Sequence, residues 1–300
     1  MANERGKSID KTHLSIDTAE ERGFIHRDYI AHCLRWSHVI KWLNIKQRYK
    51  RARILDVGCG KEVPMAKTLY SSRYIPEKYV GVDVNKLDYP AMFTSTNKFP
   101  LTLFDETDFG VYESQREVSK EFAPHGPNVI VSFEVLEHVE PEHSVRLLVA
   151  MYQTLATYAD DGFVPTVFIS TPCWDPHVGA AANHVNEVKY QVLGSVLEEL
   201  GFTVKNVYGT FASQKDIEPK MFHEKPSVES LYEELKAYYD SNYIATIFAP
   251  LFPEVSRNCL WELTAEPTAF RKFPPLAEIP GPWSSSEKWA DWDPAKWRAP

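Results

Sequence analysis

Apolar positions recur along the chain in two alternating rhythms. An early segment, "RDYIAHCLRWSHVIKWLNI", sets Ile30, Leu34, Val39, Trp42 and Leu43 at helical spacing and predicts a helix packed on the downstream domain. From Arg53 the pattern shortens into bursts. "RILDV", "YVGVDV", "FPLTLFD", "NVIVSFEV", "TVFIST" and "FTVKNVYG" read as six strands. Between them "VPMAKTLYSSRY", "PEHSVRLLVAMYQTLATY" and "NEVKYQVLGSVLEELG" read as helices, the second opened by Pro141 and the third stopped by Gly201. The alternation breaks after Gly209, and "NCLWELTAE" resumes as a seventh strand near Asn258. Repeated strand–helix alternation predicts a parallel sheet covered on both faces, with right-handed crossovers.

The expected fold class is therefore α/β: a doubly wound, Rossmann-like, seven-stranded, mostly parallel sheet. Residues 1–25 read as a mobile N-terminal segment and 26–266 as the domain. An insertion over 210–257 separates strands six and seven and contains one predicted helix, "SVESLYEELKAYYDSNYI". Residues 267–300 form a Pro/Trp-rich tail with four tryptophans; disorder usually lacks aromatics, so this tail is expected to wrap over the domain or a partner.

Composition narrows the functional classes. Three hundred residues at 44% apolar content can bury a substantial core. A net charge of -8 opposes broad attraction to nucleic acid or anionic membrane. No apolar run reaches the roughly 18 residues of a membrane span, and "MANERGKSIDKTHLSID" has no hydrophobic signal core. Cys33, Cys59, Cys173 and Cys259 are scattered without a CxxC pairing, which reads as a reducing, cytoplasmic setting with no structural zinc. "KQRYKRAR" carries five basic residues in eight. Cations complementing a helix C-terminus are the simpler account, and phosphate contact the sharper one.

The chemistry concentrates in "RARILDVGCGKEVP". Gly58 and Gly60 come straight after a buried strand, where backbone can approach a ligand and the next helix offers free N–H groups. A dinucleotide loop would place a third glycine at position 63, which is Val63, so a pyrophosphate is poorly accommodated. Asp83 ends the second strand, where a carboxylate can hold a ribose diol, and Asp105 ends the third, where adenine can be read. Each acid alone could be a helix cap. Three features in the correct order form a strong signal.

At these residues the chain resembles the class I S-adenosylmethionine-dependent methyltransferases. "ILDVGCGKE" resembles their motif I, and "YVGVDVNKL" looks like their ribose-binding motif. "NVIVSFEVLEHVEPEHSVRLL", and the run from "TVFISTPCW" to "GFTVKNVYG", are similar to a small-molecule subgroup that includes ubiquinone-biosynthesis O-methyltransferases. The resemblance covers about residues 50–210. It implies S-adenosylmethionine as cofactor, with Asp56, Gly58 and Gly60 around the methionine moiety, Asp83 on the ribose and Asp105 near adenine. Ser132 and Phe133 then face the sulfonium, and Cys59, Val84 and Glu106 join the same binding set. Lys61 and Glu62 depart from the family pattern, as does "TPCW" where "TPN" is usual.

Methyl transfer is an in-line displacement, helped by a general base when the acceptor is a hydroxyl or protonated amine. His184 in "NHVNEV" is the first candidate and His138 in "LEHV" the second. Asp175, His177, His184 and Glu187 match no compact ligand motif, so no metal is expected. Trp174, His177, Tyr239 and Tyr243 are the expected acceptor-binding residues, with the insertion and first helix as pocket or lid. Pro172–Cys173 comes after the fifth strand instead of the fourth, and no "DPPY" or "NPPF" occurs, so DNA methylation is disfavoured. A small-molecule acceptor leads, without membrane association and with a homodimer left open. A macromolecular acceptor and a catalytically silent subunit are the alternatives.

Overall fold

The computed structural model describes residues 27–46, 52–93, 99–157, 164–175 and 177–265. The first apolar periodicity becomes helix α1 (Arg27–Lys46), which lays Trp36, Val39 and Leu43 on the sheet. The strands are β1 (Arg53–Val57), β2 (Lys78–Val82), β3 (Leu101–Phe104), β4 (Val129–Phe133), β5 (Thr166–Pro172), β6 (Phe202–Phe211) and β7 (Asn258–Ala265). They form one seven-stranded sheet in the order β3-β2-β1-β4-β5-β7-β6. Strands β1 to β5 are parallel, and β7 runs antiparallel between β5 and β6.

Alternation along each inner strand feeds two cores. Ile54, Val129, Val131 and Phe168 pack against α1 and helix α2 (Pro64–Ser71) on one face. Leu55, Val57, Ile130, Val167 and Ile169 face helices α3 (Tyr112–Lys120), α4 (Pro141–Thr157) and α5 (Tyr190–Glu199) on the other. Strands buried on both sides are apolar at most positions, which is why β1 and β5 read as bursts instead of alternating patterns, with their polar residues towards the strand ends. Truncating a side chain such as Leu55, fully buried, to alanine costs about 2–5 kcal/mol. The apolar pattern does not mark helix α3, since Val118 is its only buried residue.

The insertion departs from the single helix expected there. It folds as α6 (Gln214–Glu224), α7 (Pro226–Leu235) and α8 (Ser241–Phe248). Pro226 opens α7, and the Asp240 side chain accepts hydrogen bonds from the N–H groups of Asn242 and Tyr243, starting a new helix inside the predicted one. These helices enclose a small core of their own around Ile217, Met221, Tyr232, Ile244 and Phe252. Among the described residues no helix is long and apolar enough to cross a membrane. The N-terminal segment and the Pro/Trp-rich tail lie outside the described residues.

Candidate active site

Strand order reverses between β1 and β4, and in open α/β sheets ligands bind outside the carboxyl ends of the strands at that point. The backbone there is unusual: Gly58 (φ 72°), Gly60 (φ 71°), Val63 (φ 51°), Glu106 (φ 47°) and Glu134 (φ 57°) are all left-handed. Strained conformations of this sort cluster at functional sites. The two loop glycines serve different ends. A Cβ on Gly58 would lie 2.2 Å from Val135 Cγ2, so glycine lets β1 pass the segment after β4. A Cβ on Gly60 would meet only Pro64 Cδ, at 3.8 Å, and would project into open space. That is the cradle a ligand needs.

Asp83 is buried at the rim of this hollow. Its Oδ2 accepts from Gly60 N–H (2.9 Å), and its Oδ1 accepts from the backbone N–H (2.8 Å) and side-chain amide (3.0 Å) of Asn85. An ionised carboxylate offers about four acceptor positions, so capacity remains for a ligand hydroxyl. Asp56 is buried beneath, where it accepts the Tyr79 hydroxyl proton. Burial pushes its pKa up to about 7; the Tyr79 hydrogen bond pulls down and the Asp83 charge pushes up. Cys59 packs its side chain into the α1-side core. Val84, Asp105 and Glu106 are exposed at the tips of β2 and β3, which are tied together by Thr107 N–H to Asp83 O (2.8 Å). Ser132 is buried at the β4 tip with its hydroxyl unpartnered, and Phe133 is half-buried beside it.

The β4–β5 side gathers a second set. A single 3₁₀ turn, Leu136–His138, succeeds β4, and the loop after β5 brings His184 to it. The rings of His138 and His184 meet edge-on with centroids 4.8 Å apart. His184 Nδ1 lies 2.5 Å from Glu187 Oε1, which also accepts from Ala181 N–H (3.0 Å). That pairing puts the imidazole proton on Nδ1 and leaves a lone pair on Nε2, which is buried and has no partner. Glu137 is fully buried. Its Oε2 accepts from Thr171 Oγ1 (3.2 Å), and its Oε1 has no hydrogen-bond partner but lies 3.9 Å from His138 Nε2. Burial, then the charge of Glu134, raises its pKa well above the carboxylate range. Ligand atoms of Glu137, His138 and His184 all lie within 4.8 Å of one another. A histidine that donates its other N–H to a carboxylate is the usual arrangement of a metal ligand. Of the four residues weighed for a metal from the sequence, His184 and Glu187 pair with each other, and His177 is exposed on the loop.

Glu134 lies beside this cluster in a polar network that no sequence motif marks. It pairs with Arg35 of α1 (3.7 Å) and accepts from Ser170 (2.8 Å) and from Asn258 Nδ2 (3.0 and 2.8 Å). Burial works to raise its pKa, but Arg35 and His32, with those hydrogen bonds, prevail and hold it below the usual range. Arg35 is itself buried and donates to Asn258 Oδ1 (3.3 Å) and Thr210 Oγ1 (3.5 Å). One signal could have found it: a cation inside the apolar stripe Arg35–Val39–Leu43.

The expected acceptor residues do not converge. Trp174 is buried in the α4–α5 core with Lys189 Nζ 5.1 Å from its ring centre, Tyr239 is exposed at the turn before α8, and Tyr243 is half-buried in α8. Cys173 packs against the same core as Trp174, consistent with a loop residue. Arg53, from the basic run, is buried; its Nε donates to Gly126 O (2.6 Å), and its backbone N–H donates to Asn128 (2.8 Å).

A family model described as "Methyltransferase domain" matches residues 31–207, more than half of the chain. The protein belongs to this methyltransferase family, and its sheet is the seven-stranded, Rossmann-like methyltransferase fold. Similar solved structures include magnesium protoporphyrin IX methyltransferase from Synechocystis PCC 6803 with bound SAH, at TM-score 0.47 and 11% identity over 88% of this chain and 93% of that one. Another is the O-methyltransferase of a trans-AT PKS multienzyme of Brevibacillus brevis in complex with S-adenosyl-L-homocysteine, at TM-score 0.44 and 14% identity over 99% and 85%. These likenesses concern the fold alone. A search of curated proteins finds no match.

Proposed function

We propose that this enzyme transfers the methyl group of S-adenosylmethionine to a hydroxyl of a small-molecule acceptor, with a divalent cation held by Glu137, His138 and His184. The carrying observation is a pair of buried atoms without a hydrogen-bond partner, Glu137 Oε1 on the turn after β4 and His184 Nε2 on the loop after β5, with His138 Nε2 3.9 Å from Glu137 Oε1. Gly58, Gly60 and Asp83 would hold the cofactor, which supplies an electrophilic methyl group. Gly60 leaves room without a side chain, and Asp83 keeps a free acceptor position for the sugar. A bound cation lowers the pKa of a hydroxyl coordinated to it.

The remaining residues orient these groups. Glu187 fixes the His184 tautomer, and Thr171 holds Oε2 of Glu137 while Oε1 faces His138 Nε2. Arg35 neutralises Glu134 next to a second buried acid. Two imidazoles and one carboxylate suit zinc, manganese or cobalt better than magnesium, which prefers an all-oxygen shell. Should the site work without a cation, the same Nε2 lone pair of His184 is placed to act as general base. The four cysteines are free, which fits activity in a reducing compartment such as the cytoplasm.

The test is incubation with methyl-labelled S-adenosylmethionine and fractionated extract, with and without chelator. Label should enter a small-molecule fraction, vanish with chelator and return with manganese or zinc. Label in RNA or protein would replace the acceptor class. Chelator-insensitive transfer would favour His184 as base. Tight S-adenosylhomocysteine binding with no labelled product would leave a silent subunit.

A further inference from the structure

A cleft of about 370 Å³ opens between α1 and the β6–β7 edge, within the size range of small-ligand pockets. Leu34, His38 and Lys41 project from successive turns of α1, facing Tyr208, Thr210 and Leu260. The walls are apolar or aromatic: the His38 ring lies 4.2 Å from that of Tyr208. Burial lowers the pKa of His38, so it contributes a neutral imidazole whose Nε2 has no partner. Lys41 is exposed at the rim. Glu262, whose charge reaches His38, is enclosed by Trp42 Nε1 (2.9 Å), Asn206 Nδ2 (2.8 Å) and the Tyr208 hydroxyl (3.2 Å). An incoming ligand therefore meets the positive charge of Lys41.

The cleft is linked to the strand tips. Its wall residue Thr210 donates to Asn258 Oδ1 (2.7 Å), and the amide nitrogen of Asn258 donates to Glu134. Two hydrogen-bonded side chains thus separate the cleft from the end of β4. We infer that this cleft holds the apolar body of the methyl acceptor, and that the acceptor is an aromatic carboxylate whose acid group pairs with Lys41. The inference rests on the methyltransferase reading above and adds the substrate class.

The test titrates 2-naphthoate into the full-length protein, and S-adenosylhomocysteine in parallel as the control. Saturable naphthoate binding is expected, weakened about tenfold by Lys41→Glu and also by Leu34→Trp, which fills the cleft. S-adenosylhomocysteine affinity should not move in either variant. Lys41 is on the surface, so its variant remains informative even where Leu34→Trp misfolds. Naphthoate should also compete with the extract acceptor in the labelled-methyl assay. Absent naphthoate binding, as when another chain segment or a second copy fills the cleft, would overturn the inference. So would binding unchanged by Lys41→Glu, or inhibition that more acceptor cannot relieve, which would mark an effector site. Loss of S-adenosylhomocysteine binding by the wild type would instead sink the methyltransferase reading itself.

Discussion

Between Asp56 and Asp83 one stretch of chain makes the side of the crevice proposed to hold the cofactor, using backbone turns and two carboxylates. The β4–β5 side draws its groups from α1, β4, β5, the loop before α5, and β7. On the first side the decisive atoms are glycine backbones and N–H groups fixed by local φ/ψ values. On the second they are side chains that meet only after folding: Arg35 on Glu134, Asn258 on Glu134, His184 beside His138. A hollow built locally can be read from spacing; a side built from remote parts cannot. Mutations should therefore damage the two sides differently, through backbone strain on one and through uncompensated charge on the other.

The largest expected effect tests the charge side. Arg35→Met strands Glu134 as a buried acid, and breaking such a pair costs about 3–5 kcal/mol. Urea unfolding of Arg35→Met and of the double variant with Glu134→Gln should show most of that loss recovered in the double. Equal loss in both would mean that Arg35 acts through packing.

The next effect concerns Asp56. Its folded pKa of about 7 exceeds the ordinary 3.8, so the folded state keeps the proton longer than the unfolded chain. The stabilisation it contributes is complete below about pH 4 and is lost as pH rises to about 7, a span of about 4 kcal/mol. Asp56→Asn should flatten the wild-type decline in stability over that window. A decline that persists in the variant would assign it to other groups.

Gly58→Ala and Gly60→Ala sharpen the backbone side. Both have positive φ, but only Gly58 meets a neighbour at once. Gly58→Ala should cost about 2–4 kcal/mol and Gly60→Ala about 1–2 kcal/mol, by thermal unfolding. Gly60→Ala should still weaken S-adenosylhomocysteine binding, because its new methyl group enters the cradle. The smallest effect lies in support of the cluster: Glu187→Gln should lower cation affinity about 10–100-fold while leaving S-adenosylhomocysteine affinity unchanged.

The inner strands β1, β2, β4 and β5 were legible because buried parallel strands are short, mostly apolar runs. The stop at Gly201, with φ 97°, was legible because few other residues accept that conformation. Helix α3 was not, since it buries one valine and carries no periodic face. The three-helix insertion was misread because "LYEELKAYYDSNYI" keeps a helical period across Asp240, and the capping hydrogen bonds that split it are made by one short side chain. At the site, His138 and His184 stand out in the sequence only one by one, as bases. Their meeting with Glu137 depends on how the loop after β5 returns to the β4 tip, and no spacing rule carries that. Trp174 was assigned to the acceptor because aromatic residues near strand ends often line pockets; in this fold it fills the core instead.

Calorimetric titration of manganese into protein saturated with S-adenosylhomocysteine tests the central claim most directly. The wild type should bind one equivalent, and the His184→Ala variant, still saturable by S-adenosylhomocysteine, should bind none. No heat from the wild type, or identical binding by both proteins, would contradict the account.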